Sequence, residues 1–263
     1  MSMKKKWGCI YFTFFMMQGL TNSAIAIPEY NEGQMIENKN ECVILLHGLA
    51  RSSDSFSFME GSLIEAGYHV VNVDYPSRKH TIEILVESHV AKAVEECKSV
   101  QPEKIHFVTH SMGGILARHY LANYMLDSLG HVVMLSPPNQ GSEVVDTLSD
   151  FPGFYAFNGP AGQQLGTSVE SLPNKLGPVD YSVGVITGNK SINLILSMFI
   201  PGDDDGKVSV ERAKVDGMSD YLVVPHSHPM IMKSDVVVSQ TMSYLQNGKF
   251  FRESAIQKGS ASP

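Results

Sequence analysis

Short apolar runs alternate along the chain with longer segments whose apolar residues recur at helical spacing. The first run, Cys-Val-Ile-Leu-Leu at 42–46, is unbroken, which is typical of a strand buried on both faces of a parallel sheet. The segment 81–98 instead carries apolar residues three and four positions apart, which predicts a helix. Strands are predicted at 42–46, 68–74, 105–110, 131–135, 181–187 and 221–224, and helices at 56–66, 81–98, 112–126 and 234–246. This alternation predicts an α/β fold with a doubly wound, mainly parallel sheet of about six strands.

The pattern loosens between 139 and 180, where glycine, proline, asparagine and aromatic residues replace the regular spacing. Ligands of doubly wound sheets bind at the carboxyl ends of the strands. Because this segment connects two strands that lead to that edge, we expect a short lid-like insertion over a pocket. Its aromatic side chains, together with apolar side chains from two earlier segments, predict an apolar slot, although they could equally form a small satellite core. The side chains concerned are Leu49, Phe56, Phe58, Met112, Phe151, Phe154, Tyr155 and Phe157.

The first 26 residues have the organisation of a signal peptide. Lys4–Lys6 form a positive segment, 7–20 is mostly apolar, and Ala24-Ile25-Ala26 has the small-x-small form of a cleavage site. The apolar run is shorter than the ~20 residues that a spanning helix needs. We therefore expect export to the periplasm or outside the cell, with no stable membrane span after cleavage; an uncleaved anchor is the alternative. The expected organisation is a signal peptide at 1–26, an α/β domain at 27–252 and a polar tail at 253–263.

Three cysteines bear on this expectation. Cys9 would leave with the signal peptide, so Cys42 and Cys97 would remain in an oxidising compartment. Cys42 opens a predicted strand and Cys97 closes a predicted helix, so both should lie at the same edge of the sheet. A disulfide and two separate buried thiols are both compatible with this placement.

Composition limits the range of partners. The formal net charge is −7 and there is no basic stripe, which argues against nucleic acid as a partner. The histidines show no spacing typical of a metal site, so we expect no metal and no cofactor. A small molecule or a lipid is the expected class of partner.

Ser111 stands between a predicted strand and a predicted helix, in the sequence Thr109-His110-Ser111-Met112-Gly113-Gly114. This strand–turn–helix context is typical of a serine nucleophile exposed on a sharp turn. Gly113 would let the helix begin close to the strand. Thr109 occupies a position where a glycine is usual, and we interpret this as a variant of the motif.

A serine nucleophile needs a base and a third group that holds the base, and an acid followed by a histidine is expected after Ser111. Three carboxylates at 203–205 are candidates for the acid. Asp205 is preferred because the glycine that follows allows a tight turn, and the other two are expected to be solvated. His228 is preferred over His226 as the base because an apolar segment follows it.

Acyl transfer also requires N–H donors for the oxyanion, each worth roughly 3 kcal/mol of barrier. The N–H of Met112, directly after the nucleophile, is one candidate. The loop after the first strand, His47-Gly48-Leu49, supplies the other, with Leu49 as donor and Gly48 keeping the backbone open.

These motifs together resemble the α/β-hydrolase superfamily, and within it bacterial secreted lipases and esterases. The resemblance rests on Leu45-Leu46-His47-Gly48, the motif around Ser111, Asp205-Gly206 and His228, and it covers roughly 41–247. It implies a Ser111–His228–Asp205 triad that hydrolyses an ester through an acyl-enzyme. An acyltransferase or thioesterase with the same triad is the first alternative. A non-catalytic binding module on a hydrolase scaffold is the second.

Overall fold

Six parallel strands form the centre of the structure, a computed structural model that describes residues 39–252. The spatial order is β2-β1-β3-β4-β5-β6, and every neighbouring pair is parallel. The predicted α/β sheet is therefore confirmed. The strands are β1 Glu41–Leu46, β2 His69–Val73, β3 Lys104–His110, β4 Leu129–Leu135, β5 Val183–Gly188 and β6 Asp220–Val224. The predicted signal peptide at 1–26 and polar tail at 253–263 lie outside the described residues.

Helices connect the strands and cover both faces of the sheet. They are α1 Ser57–Glu65, α2 Ile82–Leu85, α3 Ala91–Ser99, α4 Met112–Asn123, α5 Glu143–Leu148, α6 Phe154–Gln163, α7 Leu172–Lys175, α8 Leu194–Ser197 and α9 Asp235–Asn247. A π-helical turn at Val86–Val90 joins α2 to α3, so the helix predicted at 81–98 is one nearly continuous element. Short 3₁₀ turns at Ser53–Phe56 and Ile231–Lys233 precede α1 and α9. Within residues 39–252 no helix combines the length and apolar character needed to span a bilayer.

Two apolar cores lie on opposite faces of the sheet because successive strand side chains point in opposite directions. On β1, Ile44 and Leu46 contribute to the core beneath α2, α3 and α4, while Val43 and Leu45 contribute to the core beneath α1 and α9. All four side chains are fully buried. Burial of each such side chain stabilises the fold by about 1.5–3 kcal/mol, which holds the carboxyl edge of the sheet in a fixed geometry.

A disulfide joins Cys42 on β1 to Cys97 on α3, with the two Cα atoms 5.7 Å apart. The two alternatives left open by the sequence are thereby decided in favour of the bond. The bond closes a loop that contains α1, β2 and the long helix from α2 to α3. It lies at the amino-terminal edge of the sheet, away from the carboxyl ends of the strands.

The segment between β4 and β5 carries α5, α6 and α7. Helix α6 is bent at Gly159, which has a φ of 66°, and Pro160 follows the bend. A Cβ placed at Gly159 would lie 1.8 Å from the backbone oxygen of Arg78. Only glycine fits this contact, so the insertion is packed directly against the loop that follows β2.

Candidate active site

Ser111 occupies a strained turn between β3 and α4. Its φ of 53° and ψ of −126° lie in a region that residues with a side chain rarely adopt, at a typical cost of about 1–3 kcal/mol. The Ser111 N–H donates to the carbonyl of Leu135 at 2.9 Å, which ties the turn to the end of β4. The strain is thus maintained by the surrounding sheet, and strain of this kind is typical of a nucleophile held on a sharp turn.

Two glycines explain how helix α4 begins so close to the sheet. A Cβ at Gly113 would lie 2.1 Å from the carbonyl oxygen of Leu46, so no larger residue fits between α4 and β1. A Cβ at Gly114 would lie 3.0 Å from the Cβ of Pro137, so this glycine relieves a tight contact with the loop after β4. Thr109 is fully buried at this point. The unusual threonine therefore fits beneath the first turn of α4, where its hydroxyl would be in ordinary contact even with a Cβ at Gly114.

The structure brings Ser111, His228 and Asp205 together in one chain of hydrogen bonds. His228 lies in the loop after β6, and its Nε2 is 3.0 Å from the Ser111 Oγ. Its Nδ1 is 2.8 Å from the Oδ2 of Asp205, which lies in the loop after β5 and α8. The backbone N–H of His228 also donates to the Asp205 carbonyl at 2.9 Å. The three side chains stand at the carboxyl ends of β3, β5 and β6, where the sequence predicts them.

Asp205 is fully buried and carries three hydrogen bonds. Its Oδ1 accepts the backbone N–H groups of Lys207 and Val208, both at 3.0 Å, while Oδ2 faces the imidazole of His228. Burial alone would raise the pKa of this carboxyl, but His228, together with the Val208 N–H, holds the pKa below its ordinary value. Gly206, at a φ of 99°, provides the tight turn that directs both N–H groups at the carboxylate.

The competing acids and the competing histidine lie elsewhere. Asp203 is exposed, as expected, but Asp204 is buried, so the prediction that it is solvated is wrong. Its Oδ1 accepts the Ser197 hydroxyl at 2.7 Å and the Gly206 N–H at 2.6 Å, which makes Asp204 a support of the acid loop. The Nε2 of His226 is 2.8 Å from the hydroxyl of Ser234 at the start of α9 rather than near Ser111.

His110 has a position that sequence reasoning did not identify. The ring of this buried residue lies 4.7 Å from the ring of His228, and its Nε2 donates to the His228 carbonyl oxygen at 3.0 Å. Complete burial and the neighbouring His228, together with the cations of Arg51 and Lys207, hold the pKa of His110 well below its ordinary value. The adjacency of His110 to Ser111 in the motif was the available signal. The neutral ring fixes the His228 loop against β3.

The loop after β1 passes directly beside the serine turn. A Cβ at Gly48 would lie 3.0 Å from the Cβ of Ser111, so only glycine lets this loop pass the turn so closely. The next N–H after Leu49, that of Ala50, donates to the Ser77 hydroxyl at 3.0 Å. The N–H groups of Leu49 and Met112 have no acceptor within residues 39–252. These are the two groups predicted as oxyanion donors.

A pocket of about 210 Å³ opens above Ser111 and His228. Its apolar lining comes from the loop after β1, from the insertion and from α8. These lining residues are Leu49, Val144, Val145, Leu148, Phe154, Phe157, Leu165 and Leu196.

The predicted slot is correct for only part of its residues. Leu49, Phe154 and Phe157 line the pocket, whereas Phe56 and Met112 belong to the two cores instead. Three further side chains from the prediction are exposed to solvent and lie outside the pocket lining, namely Phe58, Phe151 and Tyr155. Leu196, from helix α8, was not predicted at all. No group of three or more candidate metal ligands occurs among the described residues.

Comparison with known proteins agrees with this architecture. A model of the alpha/beta hydrolase family matches residues 43–188, which is more than half of the chain. A search of curated protein sequences found no match to this chain. The mature form of lipase BlEst2 from Bacillus licheniformis is 17% identical with a TM-score of 0.61, over 82% of this chain and 95% of the lipase.

Two further solved structures share the fold but are longer proteins. Phospholipase PlaB from Legionella pneumophila is 17% identical with a TM-score of 0.57, over 72% of this chain and 53% of the phospholipase. Aspergillus fumigatus lipase B is 15% identical with a TM-score of 0.59, over 82% of this chain and 54% of the lipase. This chain spans about half the length of each. The family match confirms the resemblance predicted from the motifs, and the chain belongs to the alpha/beta hydrolase family.

Proposed function

We propose that this protein is a serine ester hydrolase, a carboxylesterase or lipase that acts through Ser111, His228 and Asp205. The observation that carries the proposal is the unbroken series of hydrogen bonds from the Asp205 carboxylate through the His228 ring to the Ser111 hydroxyl. A serine hydroxyl is a weak nucleophile at neutral pH, and a base so placed is what activates it. The lipase and esterase fold relatives support the same reaction class.

In the proposed reaction Ser111 attacks the ester carbonyl while His228 accepts the hydroxyl proton. Asp205 keeps the Nδ1 proton on His228 and stabilises the imidazolium that forms. The N–H groups of Leu49 and Met112 bind the oxyanion of the tetrahedral intermediate. Collapse of that intermediate breaks the bond to the alcohol, which leaves with the proton from His228. Water, deprotonated by His228, then releases the acid from the acyl-enzyme.

The pocket supports an apolar acyl group as the substrate's acid part. Its lining is mainly aliphatic and aromatic, and its volume of about 210 Å³ accommodates a short or medium chain. An acyltransferase or a thioesterase would use the same three side chains. Those alternatives differ in the acceptor or the leaving group.

We also propose that the protein is exported, to the periplasm or outside the cell. The disulfide between Cys42 and Cys97 supports this location, because structural disulfides persist in oxidising compartments and are rare in the cytosol.

A fluorophosphonate probe, which reacts covalently with activated serines, tests the chemistry directly. We expect labelling of the wild type that disappears in Ser111→Ala, and hydrolysis of p-nitrophenyl esters from a panel of graded acyl length. Emulsified triglyceride in the same panel separates a lipase from a carboxylesterase. A folded wild type that neither labels nor hydrolyses any ester would refute the proposal and favour a binding module.

The base is tested by a matched pair of variants. His228→Ala should abolish turnover, because no other described group stands 3.0 Å from the Ser111 Oγ as a proton acceptor. His226→Ala should retain it, since that ring contacts Ser234. Steady-state kinetics on a p-nitrophenyl ester distinguish the two, and the reverse result would reassign the base.

A further inference from the structure

A second cavity adjoins the catalytic pocket and has a different chemical character. It has a volume of about 400 Å³ and lies between the loop after β1, the loop after β2 and helix α6. Arg51 lines both this cavity and the pocket that contains Ser111. The two spaces are therefore neighbours that share Arg51 as a lining residue. A substrate whose acyl group fills the apolar pocket could extend its other end past Arg51.

Three cations line this second cavity, whereas no carboxylate does. They are Arg51, Arg78 and Lys79, and none of them forms an ion pair with any residue in 39–252. Arg78 makes only a long hydrogen bond of 3.4 Å to the Phe157 carbonyl and a contact with that ring. On a chain with a net charge of −7, a cavity lined by three unpaired cations is a local reversal of charge. Such a concentration of unpaired cations favours an anionic ligand.

A buried hydroxyl belongs to the same cavity wall. Ser77 is only 4% exposed, and its Oγ accepts the N–H of Ala50 at 3.0 Å. The Ser77 hydroxyl proton has no acceptor among the described residues, so it is free to donate to a ligand. The same bond fixes the backbone beside Arg51. The cavity therefore combines three solvent-exposed cations with one positioned donor.

We propose that this cavity binds a phosphate group on the alcohol part of the substrate, so that the ester cleaved at Ser111 is a phosphorylated acylglycerol. The inference rests on the proposed function, since it names the substrate of that same site. Guanidinium groups pair with phosphate oxygens through two parallel N–H bonds, and the ammonium of Lys79 adds a point charge. The phosphate-bearing alcohol lies on the side of Arg51 away from the acyl slot, where it leaves after acylation.

The test compares two soluble esters that differ only in the phosphate. These are monooctanoylglycerol and its phosphate monoester, octanoylglycerol phosphate, both used below the concentration at which they aggregate. We expect the wild type to have a kcat/KM about tenfold higher for the phosphate ester. Arg51→Gln, Arg78→Gln and Lys79→Gln should each reduce that preference about three- to fivefold, mainly through a higher KM. Salt should reduce it as well.

Controls separate a specific site from general charge. Lys249→Gln removes an exposed cation beyond α9, on the opposite edge of the sheet, and should keep the wild-type preference. Arg78→Lys keeps the positive charge but removes the guanidinium, so it should retain part of the preference. This control distinguishes a loss of charge from a loss of the contact between Arg78 and Phe157. Inorganic phosphate should inhibit cleavage of the phosphate ester more strongly than cleavage of the neutral one.

Several results would overturn the inference. Equal kcat/KM for the two soluble esters would do so, and so would a preference that appears only on anionic phosphatidylglycerol vesicles, which would indicate a membrane-binding surface instead. A fall in preference of the same size in Lys249→Gln would also contradict it. Calorimetry with octanoylglycerol phosphate and Ser111→Ala measures binding without turnover. If octanoylglycerol phosphate binds and Lys79→Gln weakens that binding, the cavity is supported even if the proposed hydrolysis fails. If the wild type reacts with the serine probe and hydrolyses esters but octanoylglycerol phosphate does not bind, only the proposed hydrolysis is supported.

Discussion

Replacing Asp205 by asparagine changes one buried oxygen to an amide nitrogen while keeping the shape of the side chain. The orientation of the amide follows from its neighbours. Its oxygen must accept the backbone N–H groups of Lys207 and Val208, because turning the NH₂ toward them would leave two buried donors unpaired at about 1–3 kcal/mol each. The NH₂ therefore faces the Nδ1 of His228, and that nitrogen must become an acceptor.

The proton of His228 then moves to Nε2, the nitrogen that lies 3.0 Å from the Ser111 Oγ. In this tautomer the ring donates to the serine and cannot remove its proton. We expect kcat to fall by about 10⁴-fold, the effect of the same change in a Ser–His–Asp triad, which corresponds to about 5.5 kcal/mol of activation barrier. KM should change little, because Asp205 is buried and does not line the pocket.

The assay is steady-state hydrolysis of a p-nitrophenyl ester, with circular dichroism to verify folding. Asp203→Asn is the matched control, since Asp203 is exposed, and it should stay within about twofold of the wild type. Asp204→Asn should also be mild, because both of its hydrogen bonds end on Oδ1, which an amide oxygen can replace. A folded Asp205→Asn with more than a tenth of wild-type kcat, or a crippled Asp203→Asn or Asp204→Asn, would refute this reasoning.

Three further predictions concern stability. Gly113→Ala should lower the free energy of unfolding, measured by chemical denaturation, by at least about 3 kcal/mol because its Cβ would lie 2.1 Å from a backbone oxygen. Gly61→Ala in α1, where a Cβ would meet open space, should raise the free energy of unfolding by about 0.5–1 kcal/mol. Equal effects of the two substitutions would contradict this contrast. The double variant Cys42→Ser/Cys97→Ser should lose about 4 kcal/mol of unfolding free energy, because the disulfide links residues with a sequence separation of 55 and so restricts the unfolded chain. Calorimetry should show a Tm lower by roughly 10 °C, and an unchanged Tm would contradict the prediction. Because the folded pKa of His110 is depressed, its contribution to stability is complete above the unfolded pKa of about 6.5 and is lost as pH falls toward the folded value. The free energy of unfolding can be measured in urea at several pH values below about 6.5. In that range, His110→Asn should reduce the slope of this free energy against pH by up to about 1.4 kcal/mol per pH unit. An unchanged slope would contradict the prediction.

The positions of the strands and of the chemical groups along the chain were predictable because both are local properties of the sequence. The unbroken apolar run at 42–46 predicts a buried parallel strand, and β1 is found at Glu41–Leu46. A parallel sheet places all strand carboxyl ends on one edge, so Ser111, Asp205 and His228 could be expected near one another. The distances between them follow from loop conformations that the pattern does not encode.

The remaining features depend on contacts between segments far apart in the sequence. The burial of Asp204 depends on Ser197 of α8, which forms a single turn too short to predict from periodicity. Phe56 was expected in the pocket but lies in the core beneath α1, because the 3₁₀ turn Ser53–Phe56 that carries it packs against the sheet. The cation-lined cavity lies between two loops and helix α6, and only the folded chain brings Arg51 and Arg78 to the same wall.

The main-chain bond from the His228 N–H to the Asp205 carbonyl has a consequence for engineering. Since this bond joins the two loops through their backbones, substitution of either side chain leaves the loops themselves connected. Other acid and base pairs could be installed at these two positions without redesigning the scaffold. The side chains at these two positions can therefore be exchanged, while the spacing between the positions is set by the peptide backbone.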